Sequence, residues 1–260
     1  MADSKLKIDV RRNKILDILR QDGKVYVSQL SKSLGATPVT IRNDLASLER
    51  DGYLIRMSGG AVLANRDQTI VPTASDCNDI PRLEEKKAIA KAVVQMIRDG
   101  DTLFINSGTT TQLIAMELCT RKNLNIVTNS LSVASKLGLV PTFRVLLLGG
   151  EINAQYGFTY GGDAQEQLSR YQADWAILAV DGISYKGGIT TYHAEEAIID
   201  RMMVNGAKHV LITADHTKIG RAGFSRVCDC SAHTHLITND HPVTEELTEL
   251  IENGISVTTI

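Results

Sequence analysis

Thr37-Pro38-Val39-Thr40-Ile41-Arg42-Asn43-Asp44-Leu45, followed by Leu48-Glu49-Arg50-Asp51-Gly52, is the stretch on which the reading of this chain turns. Thr37 can cap a helix, and Pro38 suits its first position, where a missing N–H needs no partner. Ile41, Leu45 and Leu48 recur at spacings of four and three and so share one buried face. With Ile41 as origin, steps of about 100 degrees put Val39, Asn43 and Arg50 on the far side, flanked by Thr40 and Arg42. That face carries methyl groups, a hydroxyl, an amide and a guanidinium, which suit base edges and phosphates. Arg42 can fork onto guanine or a phosphate; Asn43 can read adenine or hold the backbone. The pattern leaves both open.

Upstream, Ile15, Leu16 and Leu19 make the apolar stripe of a short first helix behind Arg11, Arg12 and Lys14. Ser28 is expected to cap a second helix with Leu30 and Leu34 on its buried face, ending at Gly35. Downstream, Gly52 should stop the third helix. Tyr53–Arg56 and Ala61–Leu63 read as two short strands turned by Met57-Ser58-Gly59-Gly60, with Arg56 placed for a phosphate. Three short helices and a ribbon resemble a winged helix-turn-helix. The DNA-facing candidates are Pro38, Val39, Thr40, Arg42, Asn43 and Arg56. A small three-helix domain that binds protein remains the rival for this segment.

Residues 64–81 lack periodicity, contain Pro72 and Pro81, and read as a linker. A helix is expected over 82–98. Strands at 102–105, 124–128, 143–148, 175–180, 208–213, 234–238 and 255–258 alternate with helices at 130–137, 164–171, 194–205 and 244–252. Such alternation predicts an α/β body with a mainly parallel sheet. The expected domains are thus 1–63, a linker at 64–81, and 82–260.

Loops at the carboxyl ends of such strands commonly form the pocket. Asn106-Ser107-Gly108-Thr109-Thr110-Thr111 offers glycine freedom, hydroxyls and helix-start amides suited to phosphate. It is neither a Walker motif nor a dinucleotide fingerprint. Thr128-Asn129-Ser130, Gly149-Gly150, Asp181-Gly182, and Asp215 with Lys218 follow later strands. Gly161 and Glu195 complete the effector-binding candidates, Glu195 as an acceptor for sugar hydroxyls or a partner for Arg201.

The whole chain carries 28 Lys/Arg against 30 Asp/Glu, a net charge of -2. Residues 1–60 hold eleven basic against seven acidic residues, net +4, leaving the body at -6. A basic head on an acidic body permits polyanion binding at one end. No run offers the roughly 18 apolar residues of a membrane span, and the polar amino terminus has no signal-peptide core. The 4 cysteines among 260 residues do not make a secreted disulfide scaffold. A cytoplasmic location and no membrane partner are expected.

These landmarks resemble the DeoR family of bacterial sugar-metabolism regulators. The resemblance rests on residues 37–45, on Leu48-Glu49-Arg50-Asp51-Gly52 and on Gly59-Gly60-Ala61. In the body it rests on Ser107-Gly108-Thr109-Thr110, Thr128-Asn129-Ser130, Gly149-Gly150 and Asp215-His216-Thr217-Lys218. Asp181-Gly182-Ile183 and Gly188-Ile189-Thr190-Thr191 look most like the galactitol and N-acetylgalactosamine branches. The resemblance implies a winged helix-turn-helix joined to a sensor domain similar to ribose-5-phosphate isomerases and CoA transferases. It further implies a repressor of a catabolic operon that answers a phosphorylated sugar or polyol. Thr40, Arg42 and Asn43 inherit the DNA-facing role, and the loops beginning at Asn106, Thr128, Gly149 and Asp215 the effector pocket.

This chain departs from the family pattern at three places. Ala36-Thr37 stands for the common Val-Ser, Asn43 for a common Arg, and Asn106 for a common Asp. The last removes a carboxylate that could orient a sugar hydroxyl or move a proton.

The alternative function is a sugar-phosphate isomerase-like enzyme with an accessory N-terminal domain. There Lys218 would neutralise phosphate and Asp181, Glu195 or Asp215 would act as base. The leading reading assigns no catalytic residue, no cofactor and no metal. Cys228-Asp229-Cys230 with His233 and His235 matches no strong zinc spacing. A homo-dimer or homo-tetramer is expected, since symmetry supplies two readers to an operator.

Overall fold

The computed structural model describes residues 2–50, 53–63, 80–154, 156–231 and 233–260. The expected helix stop at Gly52, and 64–79 of the expected linker, lie outside them. Contacts resolve two compact units.

The N-terminal unit runs α1 (Ala2–Asp22), β1 (Lys24–Tyr26), α2 (Val27–Ser33), α3 (Pro38–Arg50), β2 (Leu54–Met57) and β3 (Gly60–Leu63). The apolar stripes named from sequence make one core: Ile15, Leu16 and Leu19 pack with Leu30, Ile41, Leu45, Leu48 and Leu54. The three strands form an antiparallel ribbon in the order β1-β3-β2, with Met57 opposite Gly60 across a two-residue turn. Gly59 sits in that turn at φ 79. A Cβ on Gly60 would lie 2.0 Å from the Val25 carbonyl oxygen, so the close pairing of β1 and β3 requires glycine there.

Two local expectations are corrected. The first helix is not short: it reaches back to Ala2. Ser28 does not cap the second helix, which starts at Val27 with Tyr26 in the cap position and no side-chain cap bond. Strand β1 runs directly into α2, and the Val27 N–H is met by the Gly59 carbonyl at 2.8 Å. Thr37 does serve α3, accepting from the Thr40 N–H at 3.2 Å.

The larger unit holds a seven-stranded sheet in the order β15-β14-β12-β9-β4-β5-β6, every neighbouring pair parallel. Its strands are β4 (Thr102–Ile105), β5 (Asn125–Thr128), β6 (Arg144–Leu147), β9 (Ala173–Ala179), β12 (Ala207–Thr213), β14 (Thr234–Thr238) and β15 (Ser256–Thr259). All seven expected strands are present within one or two residues of their expected ends. Helices α4 (Leu83–Met96), α5 (Thr109–Leu118), α6 (Leu131–Leu137), α7 (Gly162–Leu168), α8 (Ala194–Asn205) and α9 (Glu245–Glu252) connect or flank them. The chain lays down β4, builds outward through β5 and β6, then returns to β4's other side with β9. The direction of winding therefore reverses between β4 and β9, the place where open α/β sheets form their crevice.

Five short strands were not expected: the hairpin β7 (Glu151–Asn153) and β8 (Phe158–Tyr160), and the antiparallel sheet of β10 (Gly182–Ser184), β11 (Gly188–Thr191) and β13 (Ser225–Cys228). They lie inside the connections between sheet strands and helices, so the strand–helix alternation does not show them. Among the described residues no helix is long and apolar enough to cross a membrane.

Candidate functional site

In the N-terminal unit, Pro38, Val39, Arg42 and Asn43 are exposed on α3, Val39 to 63%, and Thr40 is half-buried. The apolar side of the helix is wholly spent in the core, so this outward side is what a partner meets. Arg56 on β2 is exposed, but its N–H donates to Glu49 Oε1 at 2.9 Å and its guanidinium lies 4.0 Å from Glu49. Asp44 is a residue whose role the spacing did not reveal. It is 2% exposed and accepts from Arg11 Nε at 2.5 Å and Arg12 Nε at 3.2 Å, tying α1 to the recognition helix. Two guanidiniums on one carboxylate leave a positive charge beside α3.

In the larger unit, parallel strands deliver their following loops to one edge. Ser107, Gly108 and Thr109 open α5, whose cap position, Gly108, makes no side-chain cap bond. A Cβ on Gly108 would stand 2.7 Å from the Ala179 Cβ, so glycine lets this loop lie against β9. Asn129 is fully buried; its Nδ2 donates to the Thr159 carbonyl at 3.3 Å, and its Oδ1 has no hydrogen-bond partner among the described residues. Lys218 Nζ lies 3.7 Å from Asp181 Oδ1 with 12% of its side chain exposed. Asp215 is buried beside Arg82 at 3.9 Å and caps the turn at 216–218 through the Thr217 N–H at 3.1 Å. Burial works to raise the Asp215 carboxyl. The Thr217 hydroxyl and the charges of Lys218, Lys86 and Arg82 outweigh it and hold it below the usual range.

Several other named residues work inward. Thr111 donates to the Gly108 carbonyl at 3.0 Å. Thr128 accepts from the Ser130 N–H at 3.0 Å, and Ser130 caps α6 through the Val133 N–H. The Gly149 N–H donates to Gln167 Oε1 at 2.9 Å. Gly150 and Gly161 hold φ of 128 and 95, and a Cβ on Gly182 would meet the Arg221 carbonyl oxygen at 2.6 Å. Thr110 is buried. Asn106 is fully buried and turned onto the backbone of β9. Glu195 is exposed, and the expected pairing with Arg201 is not made, because Arg201 donates to the Val227 and Arg226 carbonyls at 2.7 and 2.6 Å.

The structure adds Glu196 and Asp200, which spacing did not single out. Glu196 and Asp200, one turn apart on α8, are buried. Thr191 donates to Glu196 Oε2 at 2.9 Å and to Asp181 Oδ2 at 3.1 Å. The ring of His193, at the start of α8, lies 4.4 Å from that of Tyr156 and 5.7 Å from that of Phe158 on the β7–β8 hairpin. Tyr160 donates to Glu151, whose charge holds the phenol above its ordinary value. The available signal was a pair of carboxylates on the same helix face as Ile199 and Met203. At the end of β13, burial raises the thiols of Cys228, its last residue, and Cys230, the latter to about 11.

Two family descriptions match: a DeoR-like helix-turn-helix domain over residues 11–67 and a DeoR C-terminal sensor domain over residues 82–240. The chain is 31% identical to the putative aga operon transcriptional repressor of Escherichia coli O157:H7, over 95% of this chain and 92% of that one. It is likewise 31% identical to the glycerol-3-phosphate regulon repressor of Escherichia coli K12, over 97% and 99%. With the lactose phosphotransferase system repressor of Lactococcus lactis it shares 34% over 81% and 83%. A solved ribose 5-phosphate isomerase from Methanocaldococcus jannaschii is similar at a TM-score of 0.38 and 14% identity, over 51% of this chain and 52% of that one. With matching descriptions over both units and relatives aligned along nearly its whole length, this chain belongs to the DeoR family of helix-turn-helix transcriptional regulators.

Proposed function

We propose that this regulator is a cytoplasmic repressor of a carbohydrate-utilisation operon, released from its operator by a phosphorylated sugar or polyol. Residues 1–63 bind duplex DNA through α3 and the wing, 64–81 link, and 82–260 sense. The galactitol and N-acetylgalactosamine type is the working assignment, and the chain works as a homo-dimer or homo-tetramer. One observation carries the sensing half: fully buried Asn129 has an Oδ1 without a hydrogen-bond partner among the described residues, at the edge of the sheet that also bears the start of α5 and Lys218. A hydroxyl can donate to Asn129 Oδ1, while phosphate oxygens take the α5 amides, the Ser107 and Thr109 hydroxyls and Lys218. The phosphate then competes with Asp181 for Lys218. Loop 181–182 continues into β10, so this exchange couples ligand to the small antiparallel sheet.

The test is direct binding by calorimetry with matched phosphorylated and unphosphorylated galactitol, tagatose, galactosamine, fructose, glycerol and deoxyribose. A phosphorylated compound should bind selectively, and Lys218→Ala or Thr109→Val should weaken it at unchanged thermal stability. Equal affinity for the unphosphorylated partner would refute the phosphate site. Light scattering of the full chain, alone and on DNA, should give a dimer or tetramer; a persistent monomer would refute the assembly.

A further inference from the structure

Asn106 stands where the two halves of the sheet meet, and its whole side chain is used there. Its Oδ1 accepts from the Ala179 N–H at 2.9 Å, and its Nδ2 donates to the Ala179 carbonyl at 2.9 Å. The side chain thus extends the pairing of β4 and β9 beyond the last backbone bond, from the Asn106 N–H to the Ile177 carbonyl at 3.3 Å. Nδ2 also reaches both carboxyl oxygens of Asp200 on α8, at 3.2 and 3.1 Å. Asn106 and Asp200 are both 0% exposed.

The surroundings of Asp200 are acidic. Glu196 lies one turn earlier on α8, held by the Thr191 hydroxyl. The charge of Asp181, in the loop after β9 and 3.7 Å from Lys218 Nζ through its Oδ1, acts on Asp200, and Cys228 on β13 feels the charges of Asp200, Arg201 and Arg226. The donor that Asp200 receives is a neutral amide. Two buried carboxyls a turn apart, each served by a neutral donor, cannot both be anionic without a large desolvation and repulsion cost.

We propose that Asn106 and Asp200 form a latch across the switch point, weakened when Asp200 ionises because its charge is then buried beside Glu196 and Asp181 with an amide as its donor, and that Asn106 is a positioning residue and not an effector contact. The latch also accounts for asparagine at 106. An aspartate there would face Asp200 with a second carboxylate and leave the Ala179 carbonyl without its donor. That the latch fixes the Ser107–Thr111 loop for a ligand rests on the sensing role proposed above; the latch itself does not.

Burial pushes the Asp200 carboxyl up to about 8, against the Asn106 amide and with help from the Asp181 charge. Burial and the charges of Asp200 and Asp181 likewise push Glu196 well above the carboxylate range. A carboxyl raised above its unfolded value gives stability that is fully present below about pH 4 and is lost as pH rises through the folded value.

The experiment is urea unfolding of the full chain without effector, followed by Trp175, the chain's only tryptophan, which lies in β9. From about pH 5 to about pH 8 the unfolding constant of the wild type should rise by up to about tenfold per pH unit more than that of Asp200→Asn. Glu196→Gln serves to separate the second acid. Asn106→Asp should lower the urea midpoint strongly in the wild type and much less in the Asp200→Asn background. An unchanged pH slope in Asp200→Asn, or equal cost of Asn106→Asp in both backgrounds, overturns the latch. Should Asp200→Asn fail to fold, hydrogen exchange of the wild-type Ala179 amide decides. Its protection, corrected for intrinsic exchange, should fall from about pH 5 to about pH 8 and level off above; constant protection over that range overturns the proposal.

Discussion

Arg42 and Asn43 are exposed on α3 while Ile41, Leu45 and Leu48 are buried beneath them, and we propose these two side chains as the ones that meet a duplex. Arg42→Ala should weaken operator binding, measured by anisotropy, while thermal unfolding stays unchanged. If the guanidinium forks onto a base, preference at one position relaxes by about 1–3 kcal/mol. If it meets a phosphate, matched and mismatched duplexes weaken alike and the salt slope falls by about one. Unchanged affinity and discrimination would remove Arg42 from the interface. Asp44 has a different part: its two arginine bonds hold α1 against α3. Asp44→Asn should lower the unfolding free energy of the winged helix-turn-helix by about 1.5–3 kcal/mol in denaturant melts, because two charged hydrogen bonds lose their carboxylate. A neutral result would show that α1 is held by its apolar stripe alone.

At the scale of elements, the switch point is tied at both ends. Asn106 closes its carboxyl side, and Thr102 with Asp174 closes its amino side. There the Thr102 N–H and hydroxyl donate to Asp174 Oδ2 at 3.0 and 2.6 Å, and Lys208 donates to Oδ1 at 2.8 Å, joining β4, β9 and β12. Lys208, the Thr102 hydroxyl and the Thr102 N–H together hold the Asp174 carboxyl down at about 2. A depressed carboxyl contributes stability above its unfolded value near 4, lost as pH falls through the folded one. Asp174→Asn should therefore melt lower at neutral pH and lose less on acidification from about pH 4 to about pH 2 than the wild type. Parallel acid profiles would refute this assignment.

The seven strands of the parallel sheet and their helices were legible because apolar runs alternate regularly with helix-length segments between turn residues. The β7–β8 hairpin and the β10-β11-β13 sheet were not, since their pairing is between distant short pieces. At the candidate site, the loops named from sequence do follow the parallel strands, but the sequence did not show the direction of each side chain. Asn106, Thr111 and Thr128 turn inward, and Glu196, not Glu195, is the buried carboxylate, because position within a loop does not fix which neighbour satisfies a buried polar group.

At the scale of the molecule, a basic segment of net +4 precedes a body of net -6, and the proposed function requires that occupancy of one change the affinity of the other. An effector that binds both conformations equally shifts nothing. Linkage demands that an inducing sugar phosphate weaken operator binding by the same factor by which operator weakens the sugar phosphate. The most direct measurement is the operator dissociation constant at fixed salt, titrated with each phosphorylated sugar and its unphosphorylated partner, in wild type and in Lys218→Ala. One phosphorylated compound should weaken operator binding about 5- to 150-fold, its unphosphorylated partner should have no effect, and Lys218→Ala should stay bound. Tight binding of that compound with no change in operator affinity, or equal release by the unphosphorylated sugar, would contradict the proposed function.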